Sequence, residues 1–187
     1  MSNLNTTDDD VKKIHNEINQ IVNQRYLITT VAITIYCVVA NMLKPKDFPS
    51  STSELGGLIY FGTILLLSLL LLLFLYSHFL KVMLRTLTNY LLVSEKSNWE
   101  IEWKTYRTKG YFGYTKAQTI IFLILGIFSF SYPFGIKIAY NLNYEPLCGL
   151  TSIIIFFIFY FILIIGIGFC HWFDFEKRSQ EKWKEIK

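Results

Sequence analysis

The side chains that can take part in chemistry are few in this chain, and they lie near the ends of long apolar segments. Together His78, Cys170, His171 and Asp174 offer imidazole, thiolate and carboxylate groups, the ligands that transition metals prefer. Their spacing matches no metal motif, and the adjacent Cys170 and His171 would point to different faces of a helix. We therefore expect histidines that are satisfied at a membrane interface, with no metal and no other cofactor.

Other catalytic patterns are missing from the sequence. It contains no paired carboxylates at catalytic spacing, no glycine-rich phosphate loop and no nucleophile elbow. The long apolar segments also contain no Asp, Glu or Arg. Ion-coupled transporters and proton pumps usually need such a group inside the membrane, because it carries the coupled charge. These patterns argue against those transporters and predict a protein that is not an enzyme.

Two apolar segments carry a stripe of polar or small residues at helical spacing. The first stripe is Thr30, Thr34, Cys37 and Asn41, and the second is Gly126, Ser129, Pro133 and Lys137. Such residues allow close helix packing and interhelical hydrogen bonds, which is one interpretation. The other is a polar pathway through an oligomer, lined by Thr30, Thr34 and Asn41. Pro133 would then be either a static kink or a gating hinge.

A third group of candidate residues is aromatic and lies in the long central loop. Ser97 and Glu100 form a capping-box pattern, which predicts that a helix begins there and runs to about residue 108. One face of this helix would carry Trp99, Trp103 and Tyr106, with Lys104 and Arg107 as a basic rim. These residues are either a docking surface for a protein partner or part of the aromatic belt found at membrane interfaces.

Four apolar segments must position these residues, and each is about 18–23 residues long, the length that an α-helix needs to cross the ~30 Å hydrocarbon core. The segments are 26–43, 58–80, 117–136 and 150–172. Hydrophobic residues make up 52% of the chain, which suits helices that face lipid. The sequence therefore predicts an all-α integral membrane protein, a four-helix bundle with loops at 44–57, 81–116 and 137–149.

Basic residues lie almost entirely on one side of the predicted spans. Three precede the first span, seven lie in the loop 81–116 and five follow the last span, so fifteen of the eighteen Lys and Arg residues share one side. Positive residues are retained on the cytoplasmic side of a membrane. We therefore expect the N-terminal segment 1–25, the central loop and the tail 173–187 all to be cytoplasmic.

Amphipathic patterns extend two of the predicted spans into the cytoplasm. Before the first span, one stripe consists of Val11, Ile14, Ile18, Ile21 and Val22, and Asp8–Asp10 can cap the helix that carries them. After the second span, another stripe consists of Leu80, Leu84, Leu87 and Leu91. Lys81 and Arg85 lie off that second stripe. We expect both helices to run on without a break and their stripes to bury each other in a small helical layer.

This layout resembles a known class of proteins, with the stretch from Asn98 to Trp103 (NWEIEW) as its distinctive local sequence. It is similar to the small four-span membrane subunits of prokaryotic antiphage systems, such as the Kiwa membrane subunit and the transmembrane accessories of CRISPR loci. The resemblance implies a component of a defence system in the bacterial inner membrane. The aromatic face of Trp99, Trp103 and Tyr106, together with the missing catalytic groups, predicts that it senses or perturbs the bilayer and recruits a cytosolic protein, and the polar stripes predict a homo-oligomer. The net charge of +4 follows from the cytoplasmic loops, so we expect no direct binding of nucleic acid. An oligomeric ion channel or pore is the alternative.

Overall fold

The computed structural model describes residues 8–43, 52–94, 114–140, 147–169 and 173–186, all of them helical or at a helix end. The helices are α1 (Asp8–Met42), α2 (Thr52–Val93), α3 (Tyr114–Ala139), α4 (Leu147–Phe169) and α5 (Phe173–Ile186). Four of them contain a stretch long and apolar enough to cross a membrane, as judged by length and composition. The predicted all-α class with four apolar helices is confirmed.

The chain divides into two compact units. The polar unit comprises Met1–Leu27, Tyr76–Tyr114 and Cys170–Lys187, and the apolar unit comprises Ile28–Leu75 and Thr115–Phe169. Both α1 and α2 contribute residues to each unit, because each helix continues across a boundary between them.

Helix α1 begins as the sequence predicts and continues without a break from the amphipathic segment into the apolar one. Asp8, Asp9 and Asp10 occupy its first turn, where carboxylates favour the positive end of the helix dipole. At 35 residues, α1 is about 52 Å long. Within the predicted stripe Ile21 is buried, while the other four residues are half-buried. The prediction of one continuous helix is confirmed.

Helix α2 is also continuous, and it begins at Thr52, six residues before the apolar segment assigned from the sequence. Its 42 residues give it a length of about 63 Å. Leu80 and Leu91 of the predicted stripe are buried. Lys81 is buried as well, with only 6% of its surface exposed, although it lies off the leucine stripe. This end of α2 is therefore covered over a wider arc than its leucines indicate.

In the apolar unit, α3 contacts each of the other three helices. Tyr132 of α3 donates a hydrogen bond to the carbonyl oxygen of Ala40 on α1. The rings of Phe122 on α3 and Phe74 on α2 lie 5.4 Å apart, and those of Phe130 on α3 and Phe157 on α4 lie 4.3 Å apart. Phe130 also packs against a hydrophobic cluster that joins α2, α3 and α4 through the buried residues Ile59, Tyr60, Ile136 and Ile153.

Helix α4 covers most of the last predicted span, 150–172. It is described as Leu147–Phe169 and α5 as Phe173–Ile186, and residues 170–172 between them lie outside the described residues. The charged C-terminal segment is helical over 14 residues, Phe173–Ile186.

Candidate functional site

The polar unit gathers basic side chains from two helices, and we refer to Arg25, His78, Lys81 and Arg85 as the basic cluster. On α2, Lys81 follows His78 by three residues and precedes Arg85 by four, so the three side chains are neighbours on one side of the helix. Arg25 joins them from α1, since its guanidinium reaches Ser77, one residue before His78.

Arg25 is held in place by contacts from two other helices. It is only 4% exposed, and its Nε donates to the Ser77 hydroxyl oxygen at 3.4 Å. Its guanidinium carbon lies 5.0 Å from the centre of the Tyr114 ring, a distance typical of a cation–π contact. The Tyr114 hydroxyl in turn donates to the backbone carbonyl of Arg25 at 2.9 Å. The guanidinium therefore has a defined orientation.

Lys81 is buried among charges of its own sign. The charges of Arg85 and Arg25 both act on it. No carboxylate in the described parts of the chain forms an ion pair with Lys81. Taking an ammonium group out of water is costly in free energy unless an opposite charge or a set of acceptors compensates it. The basic cluster therefore has the electrostatic character of an anion site.

Helix α5 packs against the last turns of α2. The rings of Trp183 and Tyr90 meet edge to face with their centroids 4.9 Å apart. The Gln180 side-chain amide donates to Oδ1 of Asn89 at 3.3 Å. Asn89 is buried, and its Nδ2 has no hydrogen-bond partner among the described residues. Ser179 of α5 is also buried. The tryptophan is thus a packing residue of the polar unit.

Some buried polar groups of the apolar unit are hydrogen-bonded across helices, whereas Thr63, Thr119 and Ser129 donate to carbonyls of their own helix. The Gln118 amide donates to the Thr29 hydroxyl at 2.9 Å, joining α3 to α1. Fully buried Tyr160 on α4 donates its hydroxyl to the backbone carbonyl of Phe122 at 2.6 Å. Because an unsatisfied polar group costs several kcal/mol in hydrocarbon, such bonds help to fix which helices pair.

The two polar stripes of the sequence occupy different environments. Thr30, Thr34 and Asn41 are exposed on α1, and the Thr34 hydroxyl donates to the carbonyl of Thr30 at 3.0 Å. Ser129 on α3 is fully buried and donates to the carbonyl of Leu125 at 2.7 Å. The single chain therefore does not bring the two stripes together on one surface.

The structure describes only some of the other site residues that the sequence predicts. The proposed docking residues Trp99, Trp103, Tyr106, Lys104 and Arg107 lie outside the described residues, as do Cys170 and His171. His78 belongs to the basic cluster. Within the described part of the chain, no group of three or more His, Cys, Asp or Glu side chains is close enough to hold a metal ion.

No family model, curated protein or solved structure matches this chain. Its function must therefore be inferred from its own residues and their geometry.

The basic cluster is the feature that sequence reasoning missed. The signal was present, because His78, Lys81 and Arg85 follow one another at helical spacing where an apolar segment ends. That spacing predicts neighbouring side chains, but it does not distinguish a solvated basic face from a buried one. Arg25 reaches the cluster from α1 and is itself held by Tyr114, 89 residues away in sequence, a contact that no pattern within α2 predicts.

Proposed function

We propose that the chain is a non-enzymatic component of the bacterial inner membrane, part of an antiviral defence system, that senses or perturbs the membrane and recruits a cytosolic protein. The observation that carries this proposal is the extra length of α2. About 20 residues suffice to cross the hydrocarbon core, and α2 has 42. From Tyr76 onward it belongs to the polar unit, together with the first half of α1 and with α5.

A recruiting surface needs side chains that the fold itself does not use, and α1 supplies a polar face of this kind. Its exposed residues in the polar unit include Lys12, Lys13, Asn16, Glu17, Asn19, Gln20 and Asn23. The proposed anchors are Trp99, Trp103 and Tyr106, because aromatic side chains dominate binding hot spots. Lys104 and Arg107 would steer an acidic partner to them. The defence assignment itself rests on the resemblance in layout.

Affinity purification from the native host tests the recruitment. We expect a cytosolic protein to co-purify with the tagged wild-type chain and to be lost from the double variant Trp99→Ala, Trp103→Ala. The matched control is Phe79→Ala, which removes an exposed aromatic side chain of the polar unit outside the proposed surface and should leave the partner bound. If the double variant fails to accumulate in the membrane, those tryptophans are structural and the docking proposal is wrong.

An oligomeric ion channel or pore is the second proposal, and the exposed polar stripe of α1 favours it. Thr30, Thr34 and Asn41 face outward from the single chain, where a symmetric assembly would bury them at subunit contacts or around an axis. Recording from purified protein in planar bilayers separates the proposals. Conductance that is lost in Thr34→Leu or Asn41→Leu would support the pore, whereas a silent bilayer would support the recruiting component.

A further inference from the structure

We propose that the basic cluster is a binding site for a phosphate group, with Lys81 at its centre. Arg25 would contribute from α1, and His78 and Arg85 from the same helix as Lys81. Neither partner recruitment nor ion conductance requires these four residues, so a phosphate site here is independent of both proposed functions.

The burial of Lys81 separates this cluster from an ordinary basic surface. A solvated lysine extends into water, but Lys81 is only 6% exposed, and the charges of Arg25 and Arg85 act on it. No carboxylate in the described residues forms an ion pair with it. A bound anion would supply an opposite charge that no described carboxylate gives to Lys81. The attraction between the anion and the ammonium group would be stronger in this poorly hydrated place than at the surface.

The chemistry of the side chains favours phosphate over a simple halide. A guanidinium presents a planar set of donors that matches phosphate oxygens, and a lysine ammonium adds a point charge. Arg25 is already oriented by Ser77 and Tyr114, so little conformational freedom would be lost when it binds. A phosphate also has enough oxygens to accept from Arg25, Lys81 and Arg85 together.

The position of the cluster along the chain suggests a lipid as the first source of that phosphate. The apolar segment of α2 ends at Leu80, directly before Lys81, and the apolar segment of α1 begins at Tyr26, directly after Arg25. Basic residues at this level, between membrane helices, bind the head groups of anionic phospholipids. A soluble phosphate compound offers the same chemistry, so the experiment has one arm for each source.

The lipid arm uses the full chain reconstituted in phosphatidylcholine vesicles with and without phosphatidylglycerol. After extraction in neutral detergent, native mass spectrometry reports which lipid remains bound. We expect the wild type to retain phosphatidylglycerol, and Lys81→Met to retain about tenfold less, the loss typical of a charge-assisted hydrogen bond. The matched control is Lys116→Met, which removes an exposed lysine two residues after Tyr114 and should retain the lipid.

The soluble arm measures the thermal unfolding of delipidated protein in neutral detergent with and without inorganic phosphate. If phosphate stabilises the wild type but not Lys81→Met, while phosphatidylglycerol is not retained, the site is confirmed and its ligand is a free phosphate. If neither probe shows an effect that depends on Lys81, the proposal is overturned.

The same variant distinguishes a ligand site from a structural role. Replacing a buried charge by an apolar side chain of similar volume is often neutral or stabilising. We therefore expect Lys81→Met to unfold at the same or a higher temperature than the wild type when no anion is present. A variant that folds but is destabilised regardless of the anion would overturn the proposal. If Lys81→Met does not accumulate, Arg85→Gln takes its place in both arms, with the same confirming and overturning outcomes.

Discussion

Gly126 lies where α3 approaches the ring of Tyr160 on α4. A Cβ at this position would overlap that ring, with its Cζ only 2.9 Å away. The ring cannot swing aside freely, because Tyr160 is fully buried and its hydroxyl is bonded to Phe122. We expect Gly126→Ala to lower the free energy of unfolding by about 1–3 kcal/mol, the usual cost of overpacking. Reversible unfolding in mixed micelles would measure it.

Gly135 provides the matched control on the same helix. A Cβ there would meet nothing within 4 Å, so Gly135→Ala should be neutral or slightly stabilising through helix propensity. Equal effects of the two substitutions would show that helix α4 does not approach α3 as closely as described.

The hydroxyl of Tyr160 makes a second contribution at the same contact. Tyr160→Phe removes the 2.6 Å bond to the Phe122 carbonyl and leaves the ring in place. We expect a loss of about 0.6–1.7 kcal/mol, because interhelical hydrogen bonds in membranes have measured energies of that order. Tyr76→Phe changes an exposed tyrosine and should have no effect on unfolding. A larger loss than in Gly126→Ala would contradict this assignment of energies.

At the scale of elements, α5 packs on α2 through the edge-to-face contact of Trp183 with Tyr90, beside the hydrogen bond from Gln180 to Asn89. Trp183→Ala should therefore release α5 while leaving the apolar unit folded. We expect backbone amides of α5 to exchange about tenfold faster or more in hydrogen-exchange mass spectrometry, because local opening becomes easier. Lys184→Ala, at an exposed position in the same helix, should leave exchange unchanged. Unchanged exchange in both variants would mean that other contacts hold α5.

The helices themselves could be predicted from the sequence with good accuracy. Length and hydropathy identify the four apolar helices, and the stripes of α1 and α2 predict that both continue past the bilayer. It is harder to predict from the sequence which face of each helix is buried. Helix α4 is apolar all round, so its periodicity does not indicate that Tyr160 faces the interior.

The candidate site could not be predicted for a related reason. Lys81 lies about 90° from the centre of the leucine stripe on α2, so amphipathicity places it at the edge of the buried face. The charge of Arg25 acts on Lys81 from α1, and Arg25 is in turn held by Tyr114, 89 positions away in sequence. Local patterns describe one helix at a time and contain no information about such contacts.

At the scale of the whole molecule, the distribution of basic residues predicts an orientation that chemical labelling can test. In a variant without Cys37, Cys148 and Cys170, a membrane-impermeant maleimide applied to intact cells should label Thr52→Cys but not Lys96→Cys. Lys96→Cys should react once the cells are permeabilised, which controls for its reactivity. The reverse pattern would overturn the assignment of both termini to the cytoplasm.

Oligomeric state is the other question at this scale. In the most apolar windows of α1 and α4, only 22% and 17% of the residues are buried within the chain. Lipid can cover such surfaces, but the exposed polar stripe of α1 favours a second copy. We expect native mass spectrometry in mild detergent to show a homo-oligomer that dissociates in Thr34→Leu, Asn41→Leu. A wild type that is monomeric under all conditions would contradict it.

The way the polar unit is assembled from the chain has a consequence for biosynthesis. Its segments come from the beginning, the middle and the end of the polypeptide, and its contacts join residues 89 and 91 positions apart. Loops of that size close slowly, and Gln180 is synthesised 91 residues after its partner Asn89. The helices of the apolar unit can therefore pack with one another before α5 has been synthesised, whereas the contacts of α5 in the polar unit form only afterwards. A ribosome stalled before α5 would leave a chain whose apolar unit can fold while its polar unit still lacks that helix.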